Sequence, residues 1–257
     1  MILRILGYVA LFFGGFVLFL YLTFPWDAVK QRVLQQASRA TGATIRAQAL
    51  EPSWITGIEA EEVEIELEGA EAPLVLDRLD ARASVLDFVT GGYGGSVEVP
   101  VAQGTVVANV SGSKAALDVE AHAQGVELAL VPALKAATGL ALAGTTNLHA
   151  DVRLGLEAPE KSEGQIELAA TGLETLKGSK VAKFPVPELV LGDLSWTLPV
   201  EKGKVIVRNQ RLSGPTVDLV LDGEVVLANP LNRSLVNLKV KFKPTPAFLK
   251  KEPLIAS

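Results

Sequence analysis

The stretch Glu62-Val63-Glu64-Ile65-Glu66-Leu67-Glu68 alternates acidic and apolar residues without an exception. Successive side chains of a β-strand point to opposite faces, so this pattern predicts a strand with one covered face and one solvated face. An acidic group that could suggest a calcium site surrounds it: Glu59, Glu61, Glu62, Glu64, Glu66, Glu68 and Glu71. No Asp-x-Asp-x-Asp-Gly loop is present, so we interpret these residues as a solvated strand face.

The same period of two recurs from Ile45 to the end of the chain. The clearest alternating segments are 79–85, 117–124, 148–156, 194–200 and 238–243. Glycine and polar residues punctuate them at intervals typical of turns, as at Gly91-Gly92, Ser111-Gly112-Ser113 and Asp222-Gly223. One later segment, VPALKAAT at 131–138, predicts a short helix, with Pro132 in its first turn and Gly139 after its end.

These patterns predict a mainly β domain with a largely antiparallel sheet of roughly ten or more strands and one or two short helices. A sheet of that size cannot leave its whole apolar face in water. It must curl into a groove, fold over into a sandwich, or be covered by a ligand, a lipid or a partner protein. Many inward positions are Ala or Val, which suits either close packing or a shallow groove.

The N-terminal segment 5–24 contains twenty residues without a charge and predicts a transmembrane helix. A cleaved signal peptide would have an apolar core of only about 7–15 residues, followed by a small-x-small cleavage site. Such a site is absent from Leu22-Thr23-Phe24-Pro25-Trp26. Basic residues lie on both sides of the segment, at Arg4 and at Lys30, Arg32 and Arg39, so charge alone leaves its orientation open.

The sequence therefore predicts three parts: an anchor at 1–26, a linking helix at 27–42 and a β-rich domain at 43–257. In the linking helix, Asp27 occupies an N-cap position and Gly42 the stop, around the apolar stripe Val29, Val33, Ala37 and Ala40. This helix either packs on the domain that follows or lies at the membrane surface, although its apolar face is small for the second role.

The composition excludes several classes of protein. The chain has no cysteine, which rules out disulfides, thiol nucleophiles and iron–sulfur clusters. It has two histidines, His122 and His149, which rule out a multi-histidine metal site and leave few candidates for a general base. A net charge of −5 and a pI near 5.2 argue against nucleic acid as a partner.

No catalytic, cofactor-binding or metal-binding residue is predicted, and we expect no cofactor and no enzymatic activity. Both histidines fall on the polar register of their strands, which indicates solvated surface residues. The glycine-rich stretch 91–95 lacks the Lys-Ser/Thr of a phosphate-binding loop, and we interpret it as a flexible turn.

Several stretches near the two ends of the chain resemble a known family. They are Phe24-Pro25-Trp26-Asp27, Ala40-Thr41-Gly42, Leu50-Glu51-Pro52-Ser53-Trp54-Ile55-Thr56-Gly57-Ile58, Leu212-Ser213-Gly214, Gly223-Glu224-Val225-Val226-Leu227, Pro230-Leu231-Asn232-Arg233-Ser234 and Phe242-Lys243-Pro244-Thr245. In this layout the chain resembles the type II secretion system protein N (GspN) family and, more distantly, AsmA-like periplasmic proteins.

The resemblance implies an inner-membrane protein with a cytoplasmic N-terminus, a single membrane pass and a periplasmic β-domain. Two functions then remain open. The first is an accessory, structural subunit of a type II protein secretion system that contacts other secretion proteins. The second is an AsmA-like protein that binds or transfers lipid in outer-membrane biogenesis, with lipid in an apolar groove.

Overall fold

In the computed structural model, the chain divides into two units, Met1–Thr41 and Gly42–Ser257. The structure describes residues 34–35, 38, 43–53, 57–66, 72–84, 91–181, 184–228 and 233–251. The predicted anchor at 5–24 and nearly all of the predicted linking helix at 27–42 lie outside these residues. Within the described ranges, no helix combines the length and the apolar character needed to span a bilayer.

The second unit is built on one antiparallel sheet of twelve strands, whose order in the sheet follows the order of the chain. Its strands are β1 (Thr44–Ser53), β2 (Gly57–Glu66), β3 (Leu74–Ala83), β4 (Tyr93–Val101), β5 (Gly104–Gly112), β6 (Ala116–Glu127), β7 (Leu142–Gly155), β8 (Glu163–Thr175), β11 (Val190–Glu201), β12 (Lys204–Ser213), β13 (Val217–Val226) and β14 (Leu235–Pro244). Two short strands between β8 and β11, β9 (Lys180–Val181) and β10 (Phe184–Pro185), pair separately. The prediction of a mainly β, antiparallel domain is confirmed.

The sheet has the faces that the alternation predicts. On β6 and β7 the paired residues Val119 and Val152 lie on the apolar face, and Val152 is buried. The neighbouring pair, Glu120 and Asp151, lies on the opposite face and is exposed. Directly paired residues of antiparallel strands share a face, so the polar and apolar sets extend across the sheet together.

Within β2 the buried side chains switch from even-numbered to odd-numbered positions at Glu62. Ala60 is buried at an even position, whereas Val63 is buried at an odd position, with Glu61 and Glu62 both exposed between them. Glu62 has a positive φ of 47°, which rotates the strand so that the following odd residues point to the covered side. The alternation from Val63 to Glu66 is therefore confirmed, but the reversal before it was not visible in the sequence.

Two hydrophobic clusters lie on this sheet. The larger one joins β8 and β11–β13 to Phe248 of the C-terminal helix α2 (Pro246–Lys251) and to Leu189, which precedes β11. The smaller one is centred on Ala60, Val63 and Leu76 in β2 and β3. Apart from these clusters, the described strands pack mainly against their neighbours in the sheet, so the strands do not fold over into a sandwich.

The predicted helix at 131–138 is confirmed as α1 (Pro132–Thr138), which lies between β6 and β7. Pro132 occupies its first turn, where a missing N–H costs nothing. Gly139 ends the helix in the left-handed conformation, with φ of 75°.

One predicted turn is wrong. Asp222-Gly223 lies in the middle of β13, opposite an irregularity of β12 between Val207 and Gln210. There Asp222 Oδ1 accepts a hydrogen bond of 3.2 Å from the backbone N–H of Asn209. A Cβ on Gly223 would lie 2.1 Å from the carbonyl oxygen of Asn237, so this glycine permits close strand pairing rather than a turn.

The glycine-rich stretch 91–95 is a turn only at its start. Gly91 has φ of 82° in a turn, whereas Tyr93, Gly94 and Gly95 already belong to β4. A Cβ on Gly95 would lie 2.8 Å from the carbonyl oxygen of Arg82 on β3. The glycine therefore allows close approach of two strands, which sequence spacing alone cannot distinguish from turn flexibility.

Candidate functional site

Rows of apolar residues run across one face of the sheet, at right angles to the strands. One row crosses ten strands without a polar residue: Ala83, Gly95, Val110, Val119, Val152, Gly164, Val200, Val205, Val225 and Val236. A second crosses eight strands: Ile58, Ala81, Val97, Ala108, Ala121, Ala150, Ile166 and Leu198. Together they form a continuous surface, which we call the apolar face.

The middle of the apolar face is lined by small side chains. Ala108, Ala121, Ala150 and Ala123 lie on β5, β6 and β7 and are half-buried by their lateral neighbours. No helix or second sheet of the described chain packs broadly over these strands. A shallow cavity of about 330 Å³ opens on this face beside Ala81, between β2 and β5. The apolar face can therefore receive an apolar ligand or a partner surface.

The last strand, β14, forms one edge of the sheet, and every residue from Leu235 to Lys243 is exposed. Val236, Leu238, Val240 and Phe242 alternate along one side, and Lys239, Lys241 and Lys243 along the other. The sequence alternation at 238–243 predicted one covered face, but the structure exposes both. The physical reason is that an edge strand has a neighbour on one side only, and the described residues place no layer over it.

A charged cluster lies on the polar face, on β2 and β3. Arg78 bridges two carboxylates, with Nε 2.8 Å from Asp80 Oδ2 and 3.1 Å from Glu59 Oε1. The hydrogen bond from Arg78 lowers the pKa of Asp80 below its usual value. Arg78 and Asp80 line an open hollow of about 530 Å³ on β3–β5. Glu59 thus belongs to an ion-pair network, and Glu66 similarly lies 3.3 Å from Arg46.

The two histidines form a pair that the sequence analysis missed. His122 on β6 and His149 on β7 lie directly opposite each other on the polar face. Their Nδ1 atoms are 3.0 Å apart, and their rings stack with centroids 4.3 Å apart at an interplanar angle of 30°. The polar placement of both is as predicted. Their juxtaposition depends on the register between two strands separated by α1, which no local pattern reveals.

A hollow of about 660 Å³ lies beside α1 and the segment that follows β8. Its lining is mostly apolar, with Lys135 and Lys180 as its charged members. Among the residues that the structure describes, no cluster of three or more His, Cys, Asp or Glu side chains could hold a metal ion. No buried side-chain polar atom of those residues lacks a hydrogen-bond partner.

The chain was compared with family models, with curated proteins and with solved structures, and none of the three comparisons finds a match.

Proposed function

We propose that this protein is an accessory subunit of a type II protein secretion system. Residues 5–24 anchor it in the bacterial inner membrane with the N-terminus in the cytoplasm, and the β-domain lies in the periplasm. It acts by contacts between the sheet and other proteins of the secretion system, and it has no catalytic role.

The first support is the location of the stretches that resemble the GspN family. Residues 212–214, 223–227 and 242–245 lie at the end of β12, on β13 and at the end of β14, which are neighbouring strands. Two glycines in these stretches lie so close to a neighbouring backbone that a side chain would collide with it. A Cβ on Gly214 would lie 2.4 Å from the backbone of Leu191, and Gly223 has the close contact described above.

The observation that carries the proposal is the open edge of β14. An exposed edge strand presents unpaired backbone N–H and C=O groups, onto which an extended segment of another protein can add. On β14 these groups are accompanied by the apolar side chains of Val236, Leu238, Val240 and Phe242, of which Val240 is 59% exposed. The strand therefore offers both backbone pairing and apolar contact to a partner.

The charges of β14 define the partner. Lys239, Lys241 and Lys243 make no ion pair with any described residue. Antiparallel pairing of β14 with a second copy of itself would bring lysines opposite lysines, which is destabilising. A strand that alternates acidic and apolar residues would place its carboxylates beside the lysines of β14 and its apolar side chains beside those of β14. The partner is therefore an acidic–apolar segment of another secretion protein.

A matched pair of substitutions tests this role. Val240→Asp and Val75→Asp each place a carboxylate at an exposed valine, 59% and 55% exposed, on β14 and β3 respectively. Both positions are on the surface, so each substitution should change stability by only about 0.5 kcal/mol. The test measures how much substrate reaches the medium from cells that lack the chromosomal copy and carry one variant.

Val240→Asp should leave the secreted substrate in the periplasm, whereas Val75→Asp should restore secretion to the level of the unchanged chain. Normal secretion by cells that lack the protein altogether would contradict the proposed function. Normal secretion by the Val240→Asp variant alone would contradict the role of β14.

The second candidate function is lipid binding of the AsmA-like kind, and the apolar face favours it. Two rows without a charge cross ten and eight strands, as described above, and alanines form the middle of the second. A surface of that shape and chemistry can accept acyl chains without burying a polar group.

Lipid extraction of the purified full-length protein, followed by mass spectrometry, tests this candidate. Stoichiometric phospholipid that is retained by Asp151→Lys and lost by a still-folded Val152→Arg variant would support lipid binding. Absence of phospholipid from the unchanged protein would contradict it.

A further inference from the structure

We propose that His122 and His149 form a two-histidine binding site for a divalent transition-metal ion, with copper(II) as the preferred ion. The sequence alone predicted no metal-binding residue, and this inference departs from that expectation because the strand register brings the two imidazoles together. It is independent of the proposed secretion role.

The distance between the two Nδ1 atoms fits a shared metal ion. Imidazole nitrogens bind such ions at about 2.0–2.1 Å. Two nitrogens 3.0 Å apart therefore subtend an angle of about 90° at an ion that both contact. That angle is the one between adjacent ligands in square-planar or octahedral geometry, which copper(II) and nickel(II) adopt, and it is narrower than the tetrahedral angle that zinc prefers. Copper(II) also forms the most stable complexes in this series.

The hydrogen bond between His122 and Glu120 orients the imidazole ring of His122 for metal binding. The Nε2 of His122 lies 3.1 Å from Oε1 of Glu120, and a proton on Nε2 donated to this carboxylate leaves a lone pair on Nδ1, which can accept from Nδ1 of His149 or bind the ion in its place. On β8, Glu167 lies directly opposite His149, and its Oε1 accepts a hydrogen bond of 2.8 Å from Nε2 of Gln165. Carboxylates that orient metal-binding imidazoles in this way are a general feature of metal sites.

The local charge favours a cation. Asp151 is the direct cross-strand partner of Glu120, and Glu167 is that of His149, so these three acidic residues lie on the same face of the sheet as the two rings. The nearest arginine on these strands, Arg153, is already 3.4 Å from the carboxylate of Asp118. The site is accessible, since the side chain of His122 is 49% exposed. The χ2 torsion of histidine is soft, which allows each ring to turn its Nδ1 lone pair towards a shared ion.

Copper(II) titration of the full-length protein in detergent, followed by isothermal calorimetry and electron paramagnetic resonance, tests the site. We expect one ion per chain, with splitting from two nitrogen ligands. His122→Ala and His149→Ala should each weaken binding by more than about 100-fold, because loss of a second-shell partner alone costs 10–100-fold. Glu120→Gln should weaken binding by about 10-fold or more while both nitrogen signals persist.

Gln124→Ala is the matched control, since Gln124 lies on the same face of β6, two residues from His122. This variant should bind copper(II) with the same affinity as the unchanged protein. Circular dichroism of each variant verifies that the sheet is intact. Equal copper affinity in the two histidine variants and the unchanged protein would overturn the proposal and assign the ion to an adventitious position. A signal with fewer than two nitrogens would also overturn it.

Discussion

Replacement of Val152 by arginine tests whether the apolar face is covered in the native protein. Val152 lies at the centre of the ten-strand row, between Val119 on β6 and Gly164 on β8, and is 8% exposed. Gly164 has no side chain that could move aside, and its backbone lies close to that of β7, since a Cβ there would be 2.7 Å from the Cα of Val152. An arginine at position 152 would have no described carboxylate on its face of the row.

The expected loss follows from burial. Truncation to Val152→Ala removes two buried methyl groups, worth about 0.8 kcal/mol each, so with a residual cavity it should cost about 2 kcal/mol. An uncompensated buried charge costs about 3–5 kcal/mol, and Val152→Arg should fall in that range. In a domain of 150–250 residues, 1 kcal/mol shifts Tm by about 2–4 °C, so the arginine variant should melt roughly 10 °C lower.

The assay is thermal unfolding of the purified protein, followed by circular dichroism. Asp151→Lys is the control, because Asp151 is the next residue on the same strand but faces solvent, and its substitution should shift Tm by only about 1–2 °C. If Val152→Arg melts within 2 °C of Asp151→Lys, the charge reaches water and the reasoning that this row is covered is refuted.

Three further predictions concern the larger cluster, the strand pairing and the polar face. Phe248→Ala should cost about 3 kcal/mol in chemical unfolding, because Phe248 is buried in the larger cluster, whereas Phe184→Ser should cost little since Phe184 is 76% exposed. Gly223→Ala should lower Tm, because its Cβ would collide with the backbone of β14 and its φ of 146° disfavours side chains; an unchanged Tm would contradict that contact. Arg78→Ala should raise the pKa of Asp80 in an NMR titration. Because Arg78 lowers the pKa of Asp80 in the folded chain, Asp80 stabilises the fold above its unfolded pKa, and this contribution is lost as the pH falls through the folded pKa. A pKa that does not move would refute the ion pair.

Local periodicity was sufficient to predict a mainly β, antiparallel domain, one short helix and the faces of strands such as β6 and β7. The pairs Asp118/Val119 and Asp151/Val152 face as the alternation indicates, and α1 begins and ends at Pro132 and Gly139. These features depend on residues that are adjacent in the chain, where backbone geometry alone assigns the side of each side chain. No such local rule determines which strands meet.

The features that sequence could not predict depend on contacts between strands. Glycine at a close strand approach and glycine in a turn have the same sequence signature, so Gly223 and Gly95 were misassigned. The juxtaposition of His122 and His149 needs the register across the segment that contains α1. Burial of β14 was inferred from alternation, but alternation does not reveal that a strand lies at an edge.

Site-specific photocrosslinking at Val240 tests the central claim, that β14 is the contact surface of the protein in its secretion system. A photoreactive amino acid at Val240, in cells that secrete normally, is compared with one at Val75 on β3. We predict a discrete protein adduct at Val240 that disappears when the genes of the secretion system are deleted, and none at Val75. An adduct at Val240 that persists without those genes, or phospholipid as the only crosslinked species, would contradict the account.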